Sequence, residues 1–107
     1  MNTEQFYGSE EWFRHPLNRN ILFTEGAKYV ADEGGAYWLL DRIALSEEPR
    51  GPFQAWKLTV QANKGILVCE DGNGNCLSKS EPFFTDFPEP GITLWCIEGT
   101  ILLPSEY

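Results

Sequence analysis

The sequence predicts an α+β fold in which helices come first and strands follow. Between residues 24 and 45 the apolar residues recur at helical spacing. After Pro52 the apolar period changes to two, which is typical of strands. Because short turns separate the successive strands, we expect an antiparallel meander sheet of four to five strands over residues 53–104. The N-terminal helices should pack on one face of that sheet.

Length and composition fit one domain spanning residues 1–107. The chain has 107 residues, of which 42% are hydrophobic and 14% aromatic. This is enough apolar material to build one buried core.

The N-terminal third is predicted to be partly helical. The first fifteen residues should form a short helix or turns that Pro16 ends. The apolar run 21–23 fits an edge strand or the approach to a helix. Thr24 resembles an N-cap, and Gly34 resembles the residue that closes the helix. A hairpin through Glu25-Gly26 is the competing interpretation.

The clearest helical pattern lies between residues 36 and 45. Its apolar residues fall at i, i+3, i+4, i+7 and i+8, and they are Ala36, Leu39, Leu40, Ile43 and Ala44. Trp38 and Leu45 widen this stripe, so we expect the helix to be covered on most sides. Residues 46–52 contain two prolines and are predicted to form a loop.

Strand patterns fill the second half of the chain. In the first strand one face is shared by Gln54, Trp56, Leu58 and Val60. Further strands are predicted at 66–70, 76–81, 92–97 and 100–103. The prolines between residues 82 and 90 make that stretch irregular.

The segment Asp71-Gly72-Asn73-Gly74-Asn75 matches the first three ligand positions of a calcium loop. The match fails further on, because Cys76 stands where glycine is required and Pro82 stands where glutamate is required. We therefore interpret the segment as a hairpin turn, and we predict no metal site.

Three cysteines, Cys69, Cys76 and Cys96, form an odd set. Residues 1–10 are polar and acidic, unlike a signal peptide, so we expect reduced thiols in a cytoplasmic protein. On strands these residues should pack as small apolar groups. Cys69 and Cys76 flank the turn, which permits a disulfide under oxidising conditions without implying one. No apolar run approaches the ~20 residues of a membrane span.

Charge is the strongest guide to function. The chain carries sixteen acidic residues, eight basic residues and a single histidine, for a net charge of −8. Such a charge repels phosphate, so we expect no direct binding to nucleic acid or membrane. The lone histidine argues against an enzyme, and we expect no catalytic residue and no cofactor. The acidity acts either as a solubility charge or as a surface for a partner protein with a basic surface.

Two sets of residues are candidates for binding. A partner surface would draw on acidic pairs and aromatic anchors, namely Glu10, Glu11, Trp12, Phe13, Glu47, Glu48 and Trp95. A ligand pocket between helix and sheet, the alternative, would use Arg14, His15 and Asp41. The competing interpretation places the aromatic residues in the core, and we expect this for Trp38 and Trp56.

Several motifs together resemble an uncharacterised family of small bacterial, plasmid- and phage-associated proteins, catalogued as a domain of unknown function. The resemblance rests on Phe6-x-Gly8, Trp12-x-Arg14-His15-Pro16-Leu17, residues 35–41, Cys69-Glu70-Asp71-Gly72, Thr85-Asp86-Phe87-Pro88 and residues 102–107. It implies association with mobile elements. By analogy, small acidic proteins from that setting often inhibit host defence by occupying a nucleic-acid-binding surface.

Three functions follow as hypotheses. The first is a non-catalytic binding protein, in its specific form an anti-CRISPR-like inhibitor of a host defence protein whose carboxylates imitate phosphate. The second is a structural protein that forms homo-oligomers, a homodimer included, through an exposed strand edge. The third is a small-ligand-binding protein or enzyme with a pocket between helix and sheet.

Overall fold

The computed structural model describes residues 1–3, 5–6, 11–46 and 51–107, and it contains two α-helices and eight strands within these ranges. The helices are α1 (Glu25–Gly34) and α2 (Tyr37–Ala44). The strands are β1 (Trp12–Arg14), β2 (Leu22–Thr24), β3 (Phe53–Gln61), β4 (Lys64–Glu70), β5 (Cys76–Lys79), β6 (Phe83–Phe84), β7 (Gly91–Ile97) and β8 (Thr100–Leu102). A 3₁₀ turn, Pro104–Glu106, follows β8.

The strands form one mixed sheet in the order β1-β2-β8-β7-β3-β4-β5, and β6 pairs with β4 beside β5. The α+β class is confirmed, but the sheet is larger than the predicted four- to five-stranded meander. Strand β2 runs parallel to β8, and the other pairs are antiparallel. Strand β7 pairs with β3, on the side away from β4. The proline-rich stretch before β7 therefore carries the chain across the sheet instead of making a tight turn.

Two short strands, β1 and β6, were not predicted, and a third, β2, was predicted only as an edge strand or the approach to a helix. Strand β1 occupies residues that we expected to be helix or turns, and β2 lies inside the sheet, between β1 and β8, where we expected an edge. Both are three residues long. Strands this short show no clear alternation, and the partner of β2 comes from the opposite end of the chain. Local pattern cannot reveal either property.

Helix α1 begins as the sequence predicts. The Thr24 hydroxyl accepts a hydrogen bond from the Ala27 amide at 3.2 Å, so the hairpin alternative is wrong. The end is shifted by one residue, because Gly34 is still helical and Gly35 takes the left-handed conformation with φ 60°.

Helix α2 buries the stripe that the sequence predicts, which is Ala36, Leu39, Leu40, Ile43 and Ala44. The prediction that it is covered on most sides is wrong. Tyr37 and Leu45 are exposed, and Trp38 is only half-buried instead of lying in the core. One flank of α2 is therefore available for contacts.

Both helices pack on one face of the sheet, as predicted. The inward residues of β3 are those foreseen, Gln54, Trp56, Leu58 and Val60, and Trp56 lies in the core. They join a single buried cluster with both helices and with inward residues of β4, β7 and β8. The opposite face of the sheet, which we call the outer face, carries no helix from the described part of the chain.

The cysteines behave in two ways. Cys69 and Cys96 are buried, as small apolar residues on strands should be, whereas Cys76 is exposed. The β4–β5 register pairs Cys69 with Ser78 and Cys76 with Glu70. The two cysteines beside the turn therefore do not face each other, and none of the three forms a disulfide.

Among the described residues, neither helix has the length and apolar character needed to cross a membrane.

Candidate functional site

A groove of about 450 Å³ lies between α2 and the edge formed by β4 and β6. We call it the aromatic groove. Its lining residues come from α2, β4 and the segment after β5, and they are Gly35, Trp38, Arg42, Leu67, Ser80, Phe83, Phe84, Thr85 and Asp86. Its volume lies within the range of about 300–1,000 Å³ that is typical of ligand sites.

Three aromatic side chains give the groove its character. The rings of Trp38 and Phe83 meet edge to face with their centroids 5.5 Å apart. Phe84 is 79% exposed at the rim, and its pairing with Lys64 places it where the groove meets the outer face of the sheet. An aromatic side chain this exposed is costly in water, because it leaves its apolar surface hydrated. The groove thus offers an unsatisfied apolar surface.

Phe83 can occupy its position because its partner in the β4–β6 ladder is a glycine, Gly65. A Cβ atom at position 65 would stand 3.1 Å from the Phe83 ring, so glycine gives the ring room to lie against β4. The prolines at 82 and 88 bound this segment, which keeps β6 to two residues.

Two of the four polar side chains in the groove wall, other than the tryptophan, already accept hydrogen bonds from the main chain. The Ser80 hydroxyl accepts a hydrogen bond from the Leu67 amide at 2.9 Å. The Thr85 hydroxyl accepts one from the Phe87 amide at 3.1 Å. The wall also carries the charged groups of Arg42 and Asp86, which can pair with a ligand. The Arg42 guanidinium carbon lies 5.7 Å from the centre of the Trp56 ring, so it is held against an aromatic face.

His15 and Asp41, two of the residues predicted for a ligand pocket, lie together. The His15 Nε2 atom is 2.8 Å from a carboxylate oxygen of Asp41. On the other side of the ring, Nδ1 accepts hydrogen bonds from the amides of Leu17 and Asn18, each at 3.1 Å. The hydrogen-bond pattern therefore assigns the proton to Nε2, which donates to Asp41.

This arrangement gives His15 a structural role. The side chain is 1% exposed, and both ring nitrogens are occupied, so neither offers a lone pair to a substrate. It ties the loop between β1 and β2 to α2, and the side-chain amide of Asn18 donates a further hydrogen bond to the Ala44 carbonyl at 2.9 Å. Arg14 folds back to donate to the Arg19 carbonyl of the same loop. None of the three predicted pocket residues lines the aromatic groove.

The residues predicted for partner recognition are dispersed. Trp12 is 55% exposed on β1, while Phe13 is half-buried and stacks on Phe23. Trp95 is half-buried on the outer face of the sheet, and Glu11 is exposed just before β1. Glu10, Glu47 and Glu48 lie outside the described residues.

The groove residues Trp38, Phe83 and Phe84 were not predicted as a site. The available signal was the Phe83-Phe84 pair beside prolines in a segment without strand alternation. Aromatic residues in an irregular segment have no assured place in a core, which makes them candidates for a surface.

The residues that resemble a calcium loop use their carboxylate for the turn itself. Asp71 accepts hydrogen bonds from the amides of Asn73 and Asn75, at 2.8 and 3.2 Å, and from the Asn75 side chain at 2.8 Å. These bonds, above all the one from the Asn75 side chain, hold the pKa of Asp71 below its ordinary value of 3.8. In the described part of the chain, no group of three or more metal-ligating side chains is placed to hold a metal ion.

A pH dependence follows from Asp71. Its lowered pKa in the folded state means that its carboxylate stabilises the fold above the ordinary value of 3.8, and that this stabilisation is lost as the pH falls through the folded pKa. We expect Asp71→Asn to unfold at lower urea concentration than the unsubstituted protein at pH 7, with the gap closing on acidification. A gap that stays constant down to pH 2.5 would contradict this account.

A second surface network joins α1 to α2. Asp32 accepts from the Lys28 ammonium at 2.7 Å and from the Tyr37 hydroxyl. The Lys28 hydrogen bond lowers the pKa of Asp32, and the bond to Asp32 raises the pKa of Tyr37. These groups are solvent-exposed and satisfy one another, so we assign them to the helix–helix junction.

One family model matches residues 2–107, and its description is a family of unknown function, DUF6876. No curated protein is significantly similar to the chain. No solved structure is significantly similar to it either.

Proposed function

Because the chain belongs to DUF6876, a family without an established function, we propose a function from the geometry: it is a non-catalytic binding protein. The aromatic groove takes an apolar side chain of a partner protein. The observation that carries the proposal is Phe84, 79% exposed at the rim of a groove walled by Trp38 and Phe83. Aromatic anchors in such pockets supply most of the binding energy in many interfaces.

Charge supports a partner segment with basic residues. The described residues outside the strands carry eleven acidic and three basic side chains. Asp86 lies in the groove wall itself. A lysine or arginine next to the apolar anchor would meet this carboxylate, and the Arg42 guanidinium can donate to main-chain carbonyls of the bound segment.

The position of the lone histidine supports a binding role over catalysis. His15, the lone histidine, has both ring nitrogens engaged and is buried away from the aromatic groove. The polar side chains that line the groove are a serine, a threonine, an arginine and an aspartate, and the first two are already hydrogen-bonded.

Selection from a displayed library of random peptides tests the proposal. The enriched peptides should share an aromatic or leucine-type residue beside lysine or arginine. We expect Phe84→Ala to weaken their binding about thirtyfold, as for an interface hot spot of about 2 kcal/mol, and Trp38→Ala to act similarly. Binding is measured by fluorescence anisotropy of labelled peptides.

The matched control is Leu17→Ala, which removes an exposed apolar side chain outside the groove. It should bind the selected peptides with unchanged affinity. Enrichment of no peptide, or equal binding by the Phe84→Ala and Leu17→Ala variants, would rule out the groove as the binding site.

The more specific proposal, that the partner is a nucleic-acid-binding protein of a host defence system and that carboxylates imitate phosphate, makes a further demand. The selected peptides should be basic, and their affinity should fall steeply with salt. If the affinity for the selected peptides were insensitive to salt between 50 and 500 mM, the protein would still be a binding protein, but the hypothesis that its carboxylates imitate phosphate would be wrong.

A small-molecule ligand is the second candidate, favoured by the volume of the groove, about 450 Å³. A thermal-shift screen separates the two. A compound that raises the melting temperature of the unsubstituted protein but not of Trp38→Ala would favour the small ligand.

A further inference from the structure

Charge is strongly segregated between the strands and the rest of the protein. The strands contain five charged residues, and they are Arg14, Lys57, Lys64, Lys79 and Glu70. The sheet thus carries a net charge of +3 in a chain whose total is −8. The other described residues carry almost all of the described acidic groups.

All five of these charges lie on the outer face. In a sheet, paired residues point to the same side. Trp56, which pairs with Cys69 and Leu94, defines the inner side that the helices cover. The neighbours of these inward residues along each strand therefore point outward. Lys57 and its partner Val68 are two such neighbours, and Lys79 points the same way because it also pairs with Val68. The four basic side chains are exposed.

The same face carries aromatic side chains. Phe53 and Trp95 meet with their ring centroids 5.2 Å apart, and Tyr107 adds a ring 5.9 Å from Trp95. Tyr107 is 82% exposed. At the far edge, Trp12 pairs with Thr24 on the same side as Arg14. The outer face thus combines positive charge with accessible rings.

Screening separates this face from the acidic helical side. The shortest dimension of the molecule is 26 Å, whereas the Debye length at physiological ionic strength is about 8 Å. The carboxylates of the two helices are therefore largely screened at the outer face, while most of the other described acids lie in loops and turns beside the strands. Within the face, the single acid Glu70 is neutralised by Lys57 at 2.7 Å. The net charge that disfavours nucleic acid for the chain as a whole does not govern this surface.

We propose that the outer face of the sheet is a second binding surface, and that its ligand is a single-stranded nucleic acid. Phosphates would contact Lys64, Lys79 and Arg14, and unstacked bases would lie on Tyr107 and Trp12. The exposed rings decide between ligands, because an acidic protein segment offers carboxylates to the lysines but no planar bases to the rings. A second copy docked by the same face would oppose two positive surfaces.

Fluorescence anisotropy with 12-nucleotide dT and U probes at 50 mM salt tests the proposal. We expect dissociation constants between about 1 and 100 μM and a log–log salt slope of about −2, as for three phosphate contacts on a single strand. The U and dT arms distinguish a preference for RNA from general binding to single strands.

Variants assign the contacts. Lys64→Gln and Lys79→Gln should each weaken binding about threefold and make the slope shallower by about 0.7. Trp12→Ala and Tyr107→Ala should each weaken it at least about fivefold. The matched controls on the helical side are Lys28→Gln for charge and Tyr37→Ala for an exposed ring, and both should bind like the unsubstituted protein.

Three results would overturn the inference. They are no binding at 100 μM protein in 50 mM salt, equal effects of the outer-face and helical-side variants, and displacement of the probes by poly-glutamate as effectively as by unlabelled dT. The last would identify an acidic protein as the ligand. Trp38 lies outside the outer face, so Trp38→Ala should leave nucleic-acid binding unchanged. Its effect on peptide binding therefore tests the aromatic groove independently of this proposal.

Discussion

Replacing Gly91 with alanine is expected to abolish stable folding. Gly91 begins β7 with φ 115°, a conformation that residues with a side chain rarely adopt, and a Cβ atom there would lie 1.9 Å from the Leu58 carbonyl oxygen. That oxygen belongs to β3, so relief requires β7, the middle strand of the sheet order, to separate from β3. We expect a loss of at least about 4 kcal/mol, measured by urea unfolding monitored by circular dichroism.

Gly35→Ala is the matched control for backbone strain alone. Gly35 also has positive φ, 60°, but a Cβ atom there would have no neighbour within 4 Å. Its expected cost is about 1–2 kcal/mol. If the two variants lost similar stability, the contact with Leu58 would not be the reason for glycine at position 91.

Glu106→Ala is expected to destabilise the protein by about 3 kcal/mol. The Glu106 side chain is 8% exposed and reaches the start of α1, where it accepts hydrogen bonds from the Thr24 hydroxyl at 2.7 Å and the Gly26 amide at 3.1 Å. It also accepts from the Leu103 amide at 2.8 Å. Hydrogen bonds to a charged group are each worth about 1.5–3 kcal/mol, and alanine would leave these donors without this acceptor.

Ser105→Ala is the neighbouring control for Glu106, because Ser105 is exposed in the same 3₁₀ turn. It should stay within about 0.5 kcal/mol of the unsubstituted protein. A Glu106→Ala variant as stable as the control would show that the side-chain carboxylate of Glu106 does not anchor α1.

Local periodicity predicted those elements whose burial depends on a long, regular pattern. Helix α2 and strand β3 follow from the stripe at Ala36–Ala44 and the alternation at Gln54–Val60. The order of the strands did not follow, since the parallel pairing of β2 with β8 and the contact of Glu106 with α1 join the two ends of the chain. Such contacts leave no local pattern.

The candidate sites were predictable in part. His15 and Asp41 were expected together, and they are 2.8 Å apart, but His15 is buried and hydrogen-bonded at both ring nitrogens, and neither residue lines the aromatic groove. The aromatic groove depends on Phe83 and Phe84 reaching the edge of β4, which is a consequence of topology. The net charge of −8 hid the positive sheet, because charge summed over a sequence carries no information about which face bears it.

The four tryptophans provide one measurement of where ligands bind. Trp38 lies in the aromatic groove, Trp56 in the core, and Trp12 and Trp95 on the outer face. Their indole N–H signals can be followed in the ¹⁵N-labelled protein, each assigned by substitution, during titration with a library-selected peptide. Binding in the groove predicts that the Trp38 signal shifts while those of Trp12 and Trp95 stay in place. Shifts at Trp12 or Trp95 with an unmoved Trp38 signal would contradict the account.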